Sequence, residues 1–345
     1  MRVLVTGSDG YIGSVLAPTV AATGHDVTGL DTGFYEGCDF GQPVGDIPTV
    51  KRDVRDVTAA DLDGFDAVVH LAALSNDPIG DLNEQWTYDI NLDGTLRVAN
   101  AAKEAGVRRF VFASSCSMYG ASGTDDLLDE RSALKPLTAY AESKVRAEEG
   151  LAELADGDFV PVFMRNATVY GVSPRLRLDI VLNNLAGWAH TTGAIRLLSD
   201  GSAWRPLLHV RDLAKAASAM LQAPDDVVHG EAFNVGSAEQ NYLIRDLAEV
   251  LAEVTGCEVE FAGDASPDPR SYRVDFTKLE RTFPKLQLDW NARRGAEELI
   301  EAYRSVPLTT ELFEGRRYVR LRQLRHLLNS GELDAGLRWT SAVAA

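Results

Sequence analysis

The sequence predicts an α/β fold in which a doubly wound parallel sheet is joined by a smaller, discontinuous C-terminal α/β lobe. Short apolar segments alternate with longer helical patterns through the first half of the chain, as in repeated strand–helix–strand units. These segments are almost continuously apolar, which is typical of parallel strands covered on both faces. The first of them leads into a glycine-rich turn that opens a helix, a feature of many such sheets.

The predicted elements follow in chain order. Strands are expected at 2–6, 26–30, 67–71, 109–113 and 159–164, with one more short strand before Asp53. Residues 1–168 should form the first domain, and the chain is expected to return to it near 205–240. Residues 169–345 are assigned to the second lobe. Its pattern is irregular over 171–204, and helices are expected near 242–253, 293–304 and 321–328.

Charge and cysteine content exclude several kinds of partner. The chain has 34 Lys and Arg residues against 51 Asp and Glu residues, and its net charge of −17 repels nucleic-acid phosphates and anionic lipid headgroups. Its three cysteines, Cys38, Cys116 and Cys257, are far apart and predict neither disulfides nor a metal site. The sequence opens directly into a strand and has no apolar stretch of roughly 18 residues, so we expect a cytoplasmic protein without a membrane span.

The turn after the first strand has the spacing of a dinucleotide-binding loop. Gly7, Gly10 and Gly13 form a GxxGxxG pattern. The first glycine permits the tight turn, the second lets backbone amides approach a pyrophosphate at the positive helix end, and the third lets the helix pack closely. With its flanking strand and helix, this loop predicts a Rossmann domain in which Tyr11 and Ile12 also contact the cofactor.

Two acidic residues at later strand ends indicate which dinucleotide binds. Asp31 ends the second strand, where a carboxylate can accept hydrogen bonds from both ribose hydroxyls and repels a 2′-phosphate. This favours NAD over NADP. Asp53, followed by Val54, comes after the next short strand and could reach the adenine amino group. Either carboxylate could instead be a solvated surface charge, and Asp53 more readily so because it lies in a charged cluster.

Three polar residues predict the chemistry. Ser115 lies at the end of the fifth strand, and Tyr140 and Lys144 lie four residues apart at the start of a predicted helix. That spacing puts the ammonium group on the same helix face as the phenol, where it favours the phenolate. Tyr140 would then act as a base, and the Ser115 hydroxyl would hold the reacting oxygen. The alternative for the Tyr–Lys pair is an ordinary surface helix.

Together these residues resemble the extended short-chain dehydrogenase/reductase family, which includes nucleotide-sugar epimerases, dehydratases and decarboxylases. The resemblance spans nearly the whole chain and implies NAD as the cofactor and a nucleotide sugar as the substrate. It also implies further cofactor contacts, which are His70-Leu71-Ala72-Ala73 at a strand end, Asn91, Tyr140 and Lys144.

The same resemblance implies a set of contacts to the substrate diphosphate. They are Asn166, Arg205 and Arg270, the last within the stretch 269–273. Guanidinium groups suit this role because they bind phosphate oxygens in a bidentate manner. Each arginine could instead form a structural ion pair.

One departure from the family pattern bears on the reaction. Members that expel water or carbon dioxide generally carry an acid two positions after the catalytic Ser or Thr, where this chain has Ser117, which we count among the substrate contacts. We therefore expect a nucleoside-diphosphate-sugar 4-epimerase that forms a 4-keto sugar transiently and returns the hydride to either face. The alternatives are an NAD(P)H-dependent 4-ketoreductase of a nucleotide deoxysugar and a non-catalytic NAD-binding member of the family.

Three further expectations concern the surroundings of the site. The resemblance implies a homodimer that pairs through helices near 82–105 and 137–154, although nothing in the spacing requires one. Cys116 should lie in the core, because strand alternation turns it away from the face of Ser115. The stretch 74–78 either shapes the sugar pocket or forms a plain turn.

Overall fold

The fold is known from a computed structural model that describes residues 1–41, 43–75, 77–121, 127–266 and 270–340. Its strands are β1 (Arg2–Thr6), β2 (Asp26–Asp31), β3 (Thr49–Lys51), β4 (Ala67–His70), β5 (Arg109–Ser115), β6 (Leu127–Leu128), β7 (Val160–Asn166), β8 (Thr168–Tyr170), β9 (Ala194–Ser199), β10 (Trp204–His209), β11 (Ala232–Val235), β12 (Asn241–Leu243), β13 (Glu258–Ser266) and β14 (Arg273–Val274).

Seven strands of the described residues form one parallel sheet in the order β11-β7-β5-β4-β1-β2-β3. Strands β4 and β7 are buried along their whole length, which explains why their sequences are almost continuously apolar. The chain runs from β1 outward to β3 and then resumes on the other side of β1 with β4. This change of direction opens a crevice at the carboxyl ends of β1 and β4. The predicted doubly wound parallel sheet is confirmed.

Helices cover both faces of the central sheet and build much of the second lobe. The α-helices are α1 (Gly13–Ala22), α2 (Asp77–Leu82), α3 (Glu84–Thr87), α4 (Gly94–Glu104), α5 (Ala139–Leu154), α6 (Val181–Thr192), α7 (Val210–Gln222), α8 (Asp225–Val228), α9 (Ile244–Thr255), α10 (Thr277–Thr282), α11 (Ala292–Ser305), α12 (Thr310–Glu314) and α13 (Arg320–Asn329). No helix of the described residues combines the length and the apolar character that a membrane span needs.

Two cores lie on the two faces of the central sheet. Leu16 of α1 and Leu213 of α7 belong to the core on one face. On the other face, Val98 of α4 and Leu151 of α5 share a core with Leu324 of α13. The last helix therefore packs against the first half of the chain, far from its neighbours in sequence.

A third core belongs to the second lobe. It is built from α6, α9 and α11 together with β10, and β10 pairs with β8 and β12 outside the central sheet. The return to the first domain, expected near 205–240, involves α7, which packs with α1, and β11, which pairs with β7. The proposed division of the chain at residue 168 stays a prediction.

The interpretation of 171–204 as irregular was wrong, because this stretch contains α6 and β9. Helix α6 includes Asn183, Asn184 and Gly187, which are poor helix formers. Gly187 lies so close to Phe313 that a Cβ atom there would overlap its ring. Packing between distant segments therefore stabilises a helix that local propensity disfavours.

Candidate functional site

The glycine loop lies at the base of the crevice. Gly7 follows β1 with a positive φ of 72°, and a Cβ atom there would lie 2.8 Å from the backbone nitrogen of Ala72. A Cβ atom on Gly13 would overlap the carbonyl oxygen of Gly7. Helix α1 begins at Gly13, so its positive end lies at this loop. This tight turn, which leaves no room for side chains at Gly7 and Gly13, fits a dinucleotide pyrophosphate bound at the helix end.

Tyr11 and Ile12 lie in this loop with their side chains turned into the protein. The Tyr11 hydroxyl donates a hydrogen bond of 2.8 Å to the carbonyl of Gly171 in the second lobe, and burial raises its pKa. Ile12 packs against two cores at the start of α1. The side chain of Tyr11 joins the two lobes, so its predicted cofactor contact would be made through the backbone. Ile12 is partly buried, and its predicted contact stays a prediction.

A cleft runs from the loop along the ends of β2 and β3. The predicted cofactor residues that line it are Gly10, Asp31, Asp53, Val54, Ala72 and Ala73. Residues that sequence reasoning missed also line it, namely Leu30, Thr32, Phe34, Tyr35, Arg52, Leu74 and Ile90. Thr32, Arg52 and Leu74 closely follow strand ends, which is a signal that could have indicated them. Leu30 lies within β2 and Ile90 within the turn 88–93, where no such signal exists. Asn76 of the stretch 74–78 and Pro269 of 269–273 lie outside the described residues.

Asp31 is held at the inner end of this cleft. Its carboxylate accepts hydrogen bonds from the backbone N–H of Gly33 at 2.8 Å and of Asp9 at 3.1 Å. Burial raises the pKa of Asp31 and the Asp9 charge adds to the effect, although the two hydrogen bonds oppose it. The geometry suits a carboxylate that would accept ribose hydroxyls from the open side of the cleft.

Asp53 lines the cleft but is already paired. Its carboxylate lies 2.6 Å from the Arg55 guanidinium and 3.2 Å from that of Arg338. Burial alone would raise the pKa of Asp53, but the hydrogen bonds and charge of Arg55, with Arg338, outweigh it and lower the pKa. Any contact with an adenine amino group would share the carboxylate with these two arginines.

His70 ends β4 in a buried hydrogen-bond chain. The Thr95 hydroxyl donates to the Asn91 carbonyl at 2.6 Å, so it accepts from His70 Nε2 at 2.9 Å. His70 Nδ1 then accepts from the Thr6 hydroxyl at 2.8 Å. Burial, with the charge of Lys144, lowers the pKa of His70 to about 3, so the ring is neutral. Hydrogen bonds on both ring nitrogens thus hold His70 in place at the strand end.

The other predicted residues near β4 support the crevice wall. Leu71 packs its side chain into the core and bonds its backbone N–H to Thr6. Asn91 lies in a π-helical turn over Tyr88–Asp93, and its side-chain amide bonds both backbone groups of Leu74 and the Ser143 hydroxyl. Asn91 is fully buried and ties β4 to α5. Its contact with the cofactor stays a prediction.

Ser115 and Ser117 face each other at the end of β5. The Ser115 hydroxyl oxygen accepts from the Ser117 backbone N–H at 3.2 Å, and the two hydroxyl oxygens lie 2.9 Å apart. Cys116 is fully buried, as expected, although it begins a 3₁₀ turn over Cys116–Tyr119 instead of extending the strand. Burial raises the pKa of its thiol, so Cys116 is not a nucleophile here.

Tyr140 and Lys144 project from the first two turns of α5, which Thr138 caps by accepting the backbone N–H of Ala141. Lys144 is buried, donates to the Ala113 carbonyl of β5 at 2.8 Å, and places its ammonium nitrogen 5.9 Å from the centre of the Tyr140 ring. Burial lowers the pKa of Lys144 to about 7. Because Ala113 lies two residues before Ser115, this bond joins the helix to the reactive end of β5.

Asn166 ends β7 directly beside Ser115, its partner in the sheet register. Its amide nitrogen donates to the Ser114 carbonyl at 3.2 Å, while its buried amide oxygen has no hydrogen-bond partner among the described residues. Buried acceptors are usually paired, so this oxygen is left to accept a hydrogen bond from a water molecule or a ligand. The predicted contact of Asn166 with the substrate stays a prediction.

The structure brings together the two arginines assigned to the diphosphate. Arg205 of β10 is buried, and its guanidinium donates to the backbone carbonyl of Arg270 and lies 5.6 Å from the centre of the Tyr272 ring. The stretch that carries Arg270 therefore contacts the start of β10, although the two are far apart in sequence.

Two arginines that the sequence analysis missed link the second lobe to the cleft. Arg175 donates to the carbonyl of Asp9 in the glycine loop at 3.0 Å, and Arg177 donates to the Ser75 hydroxyl beyond β4 at 2.9 Å. Both are buried, and Arg177 also pairs with Asp179 at 2.9 Å. The sequence shows two arginines close together, but nothing near them indicates which distant groups they contact.

Comparisons with known proteins identify the family of the chain. The model of the NAD dependent epimerase/dehydratase family matches residues 3–236. A UDP-glucose 4-epimerase of Corynebacterium glutamicum is 31% identical over 309 residues, which cover 84% of this chain and 90% of that protein. A UDP-glucose 4-epimerase of Bacillus subtilis strain 168 is 27% identical over 327 residues, covering 87% of this chain and 94% of that protein.

The fold also matches solved structures. MoeE5 in complex with UDP-glucuronic acid and NAD superposes with a TM-score of 0.76 at 27% identity, covering 88% of this chain and 99% of that one. The match extends over both the central sheet and much of the second lobe. The chain therefore belongs to the NAD-dependent epimerase/dehydratase family, as the resemblance predicted.

Proposed function

We propose that the chain is a nucleoside-diphosphate-sugar 4-epimerase that oxidises its substrate transiently at C4. The observation that carries the proposal is the Tyr140–Lys144 pair at the start of α5, which is joined to the end of β5 beside Ser115. The chemistry that NAD would supply here is the reversible acceptance of a hydride from C4. The glycine loop, Asp31 and Lys144 would hold the cofactor.

The residues of the chain would manage the proton and the reacting oxygen. The Lys144 ammonium stabilises the Tyr140 phenolate, which accepts the proton of the C4 hydroxyl. The Ser117 backbone N–H donates to the Ser115 oxygen. When the Ser117 hydroxyl also donates to this oxygen, the Ser115 hydroxyl hydrogen is left to bond the C4 oxygen. Tyr140 returns its proton when the ketone is reduced from its other face. Close positioning of these groups supplies most of the rate acceleration.

Epimerisation is favoured over dehydration by Ser117. Its hydroxyl lies 2.9 Å from the Ser115 hydroxyl, in the position where dehydrating relatives generally carry an acid. A hydroxyl with an ordinary, high pKa is a poor donor of a proton to a leaving group. The names of the two relatives, both UDP-glucose 4-epimerases, support the same reaction and favour a UDP-sugar.

The nucleotide sugar would be held by its diphosphate. The unpaired amide oxygen of Asn166 lies beside Ser115, where a hydroxyl or amide hydrogen of the ligand could satisfy it. The Arg205 guanidinium, together with the 270–272 stretch, would neutralise the phosphate oxygens. These contacts would hold the sugar with its C4 oxygen towards Tyr140.

The proposal is tested with purified protein to which no cofactor is added. We expect NAD to co-purify and UDP-glucose and UDP-galactose to interconvert. The Tyr140→Phe variant, with Lys144 intact, should lose activity by roughly 10²- to 10⁴-fold. Tyr88→Phe, which removes an exposed hydroxyl bonded to Glu142, is the matched control and should retain activity.

Other outcomes have defined meanings. A change in nicotinamide absorbance with each turnover would replace the epimerase with the 4-ketoreductase. Cofactor binding without activity towards any nucleotide sugar would indicate the non-catalytic member of the family. Unchanged turnover in Tyr140→Phe would remove the proposed base.

We also propose a homodimer that pairs through the helices near 82–105 and 137–154. Two large apolar side chains at the start of these stretches, Leu82 and Leu137, are exposed in the single chain, and a dimer interface would cover them. Light scattering of the parent and of Leu137→Asp tests the pairing, because a buried carboxylate at an interface should give monomers. The cytoplasmic location also stays a prediction.

A further inference from the structure

Two consecutive residues that follow α13 contact the two strand ends at which the sequence predicts adenosine recognition. The Arg338 guanidinium lies 3.2 Å from the Asp53 carboxylate, which follows β3. The Trp339 indole N–H donates to the carbonyl of Thr32, directly after Asp31, at 2.6 Å. Both Thr32 and Asp53 line the cofactor cleft.

The segment that carries these residues is firmly anchored. Arg55 donates to the carbonyls of Gly336 at 2.7 Å and Leu337 at 2.8 Å, and the Trp86 indole N–H donates to the Ala335 carbonyl at 2.8 Å. Leu337 is fully buried and has a φ of 54°, a conformation that residues other than glycine rarely adopt. Such a conformation persists only where surrounding contacts hold it.

Ring and charge contacts attach the same segment to the cleft wall. The Trp339 ring lies 6.0 Å from the Phe34 ring, which lines the cleft, and 5.1 Å from the Lys51 ammonium at the end of β3. Arg338 also pairs with Asp56. Segment 334–339, which we call the C-terminal strap, therefore reaches the ends of both β2 and β3 from outside the Rossmann domain.

We propose that the C-terminal strap is part of the adenosine-binding site. Arg338, acting through Asp53, and Trp339, acting through Thr32, are positioning residues that set how tightly the adenosine half of the dinucleotide is bound and how slowly it leaves. The Arg55 guanidinium contacts both oxygens of Asp53, and Arg338 adds a second guanidinium to the same carboxylate. Asp53 therefore stays paired with Arg55 when Arg338 is replaced. The inference rests on the NAD site of the proposed function and not on the sugar reaction.

The test uses the full chain freed of cofactor and three probes, NAD, AMP and nicotinamide mononucleotide. Arg338→Gln removes the charge, and Trp339→Phe keeps a ring while it removes the N–H donor to Thr32. In each variant, titration calorimetry should show binding of NAD and AMP weakened by roughly tenfold, which is the size of coupling expected between residues of one hydrogen-bond network. Binding of nicotinamide mononucleotide should be unchanged.

The matched control is Arg196→Gln. Arg196 pairs with Glu260 at 3.3 Å and lies 5.0 Å from the centre of the Trp188 ring, so it has the same kinds of contact on β9, away from the cleft. Its affinity for all three probes should equal that of the parent. Parent-like AMP and NAD affinity in both Arg338→Gln and Trp339→Phe would overturn the proposal.

A measurement on the unaltered protein covers the case in which a variant fails to fold. Saturation with AMP should slow amide hydrogen exchange in 334–339, and nicotinamide mononucleotide should not. Unchanged exchange of this segment on AMP binding would also overturn the proposal. Failure of the epimerase assignment would leave these AMP results intact, so the two proposals fail independently.

Discussion

The Lys144 ammonium nitrogen lies 5.9 Å from the centre of the Tyr140 ring, and both side chains project from the first two turns of one helix. The ammonium also lies 4.6 Å from the centre of the Phe112 ring and donates to the Ala113 carbonyl. The ammonium group is thus buried at the edge of the sheet, where the reaction is proposed to occur. A buried ammonium group lowers the free energy of unfolding, and this loss of stability can be measured.

Lys144→Met should stabilise the cofactor-free protein at acidic pH. The folded pKa of about 7 lies below the ordinary value of 10.5, so the unfolded chain binds one more proton between these values and parent stability rises with pH there. The penalty of the buried charge is greatest below pH 7. Urea unfolding should show a gain of about 1–3 kcal/mol at pH 6 that shrinks towards pH 10.

The half-exposed Lys103 on α4 provides the control for this experiment. Lys103 contacts Asp156 and the Leu154 carbonyl at the protein surface. The stability change of Lys103→Met should not increase as the pH is lowered. A gain in Lys144→Met that is the same at pH 6 and pH 10 would contradict the buried-charge explanation.

Gly13→Ala should abolish dinucleotide binding and destabilise the first domain. The new Cβ atom would overlap the Gly7 carbonyl and the backbone of Ser8, neither of which can move without disturbing β1. A loss of about 3 kcal/mol or more is expected in urea unfolding. Gly157→Ala is the control, because no atom lies within 4 Å of its Cβ position. Equal stability of the two variants would show that the loop tolerates a side chain.

Asp31→Asn should shift the cofactor preference from NAD towards NADP. The Asp31 carboxylate accepts backbone N–H groups of Gly33 and Asp9, and its remaining charge repels a 2′-phosphate. We expect NAD affinity to fall about tenfold and NADP affinity to rise, both measured by calorimetry. If the NAD to NADP affinity ratio stayed at the parent value, Asp31 would not be the selecting residue.

Asn166→Ala should weaken binding of UDP and of UDP-sugars without affecting NAD. Folding loses the 3.2 Å hydrogen bond from the amide nitrogen to the Ser114 carbonyl. The amide oxygen has no partner among the described residues, so its loss falls on the ligand. A roughly tenfold rise in the Kd for UDP is expected. Asn100→Ala, which removes an exposed amide bonded within α4, serves as control. A fall in NAD affinity equal to that for UDP would assign Asn166 to the cofactor side.

The features that the sequence predicted well are those in which local chemistry determines local structure. The glycine loop could be predicted because Gly7 and Gly13 occupy positions that exclude any side chain. The positions of Ser115, Tyr140 and Lys144 could be predicted because they lie at a strand end and at i, i+4 in a helix. Their catalytic roles stay a prediction.

The features that were missed depend on contacts between distant segments. Helix α6 forms despite Asn183 and Gly187 because Gly187 packs against Phe313 of α12. Asp53 and Arg338 are far apart in the sequence, so no pattern of residue spacing could indicate that they pair. Cleft residues such as Tyr35 follow strand ends in irregular loops, where periodicity carries no information.

The most direct test of the account is proton NMR of UDP-glucose in D₂O with catalytic amounts of the purified protein and no added cofactor. The account predicts that UDP-galactose appears, that the proton on C4 is retained because hydride returns to the same carbon, and that no reduced nicotinamide accumulates. Incorporation of deuterium at C4, or a stoichiometric demand for reduced nicotinamide, would contradict it.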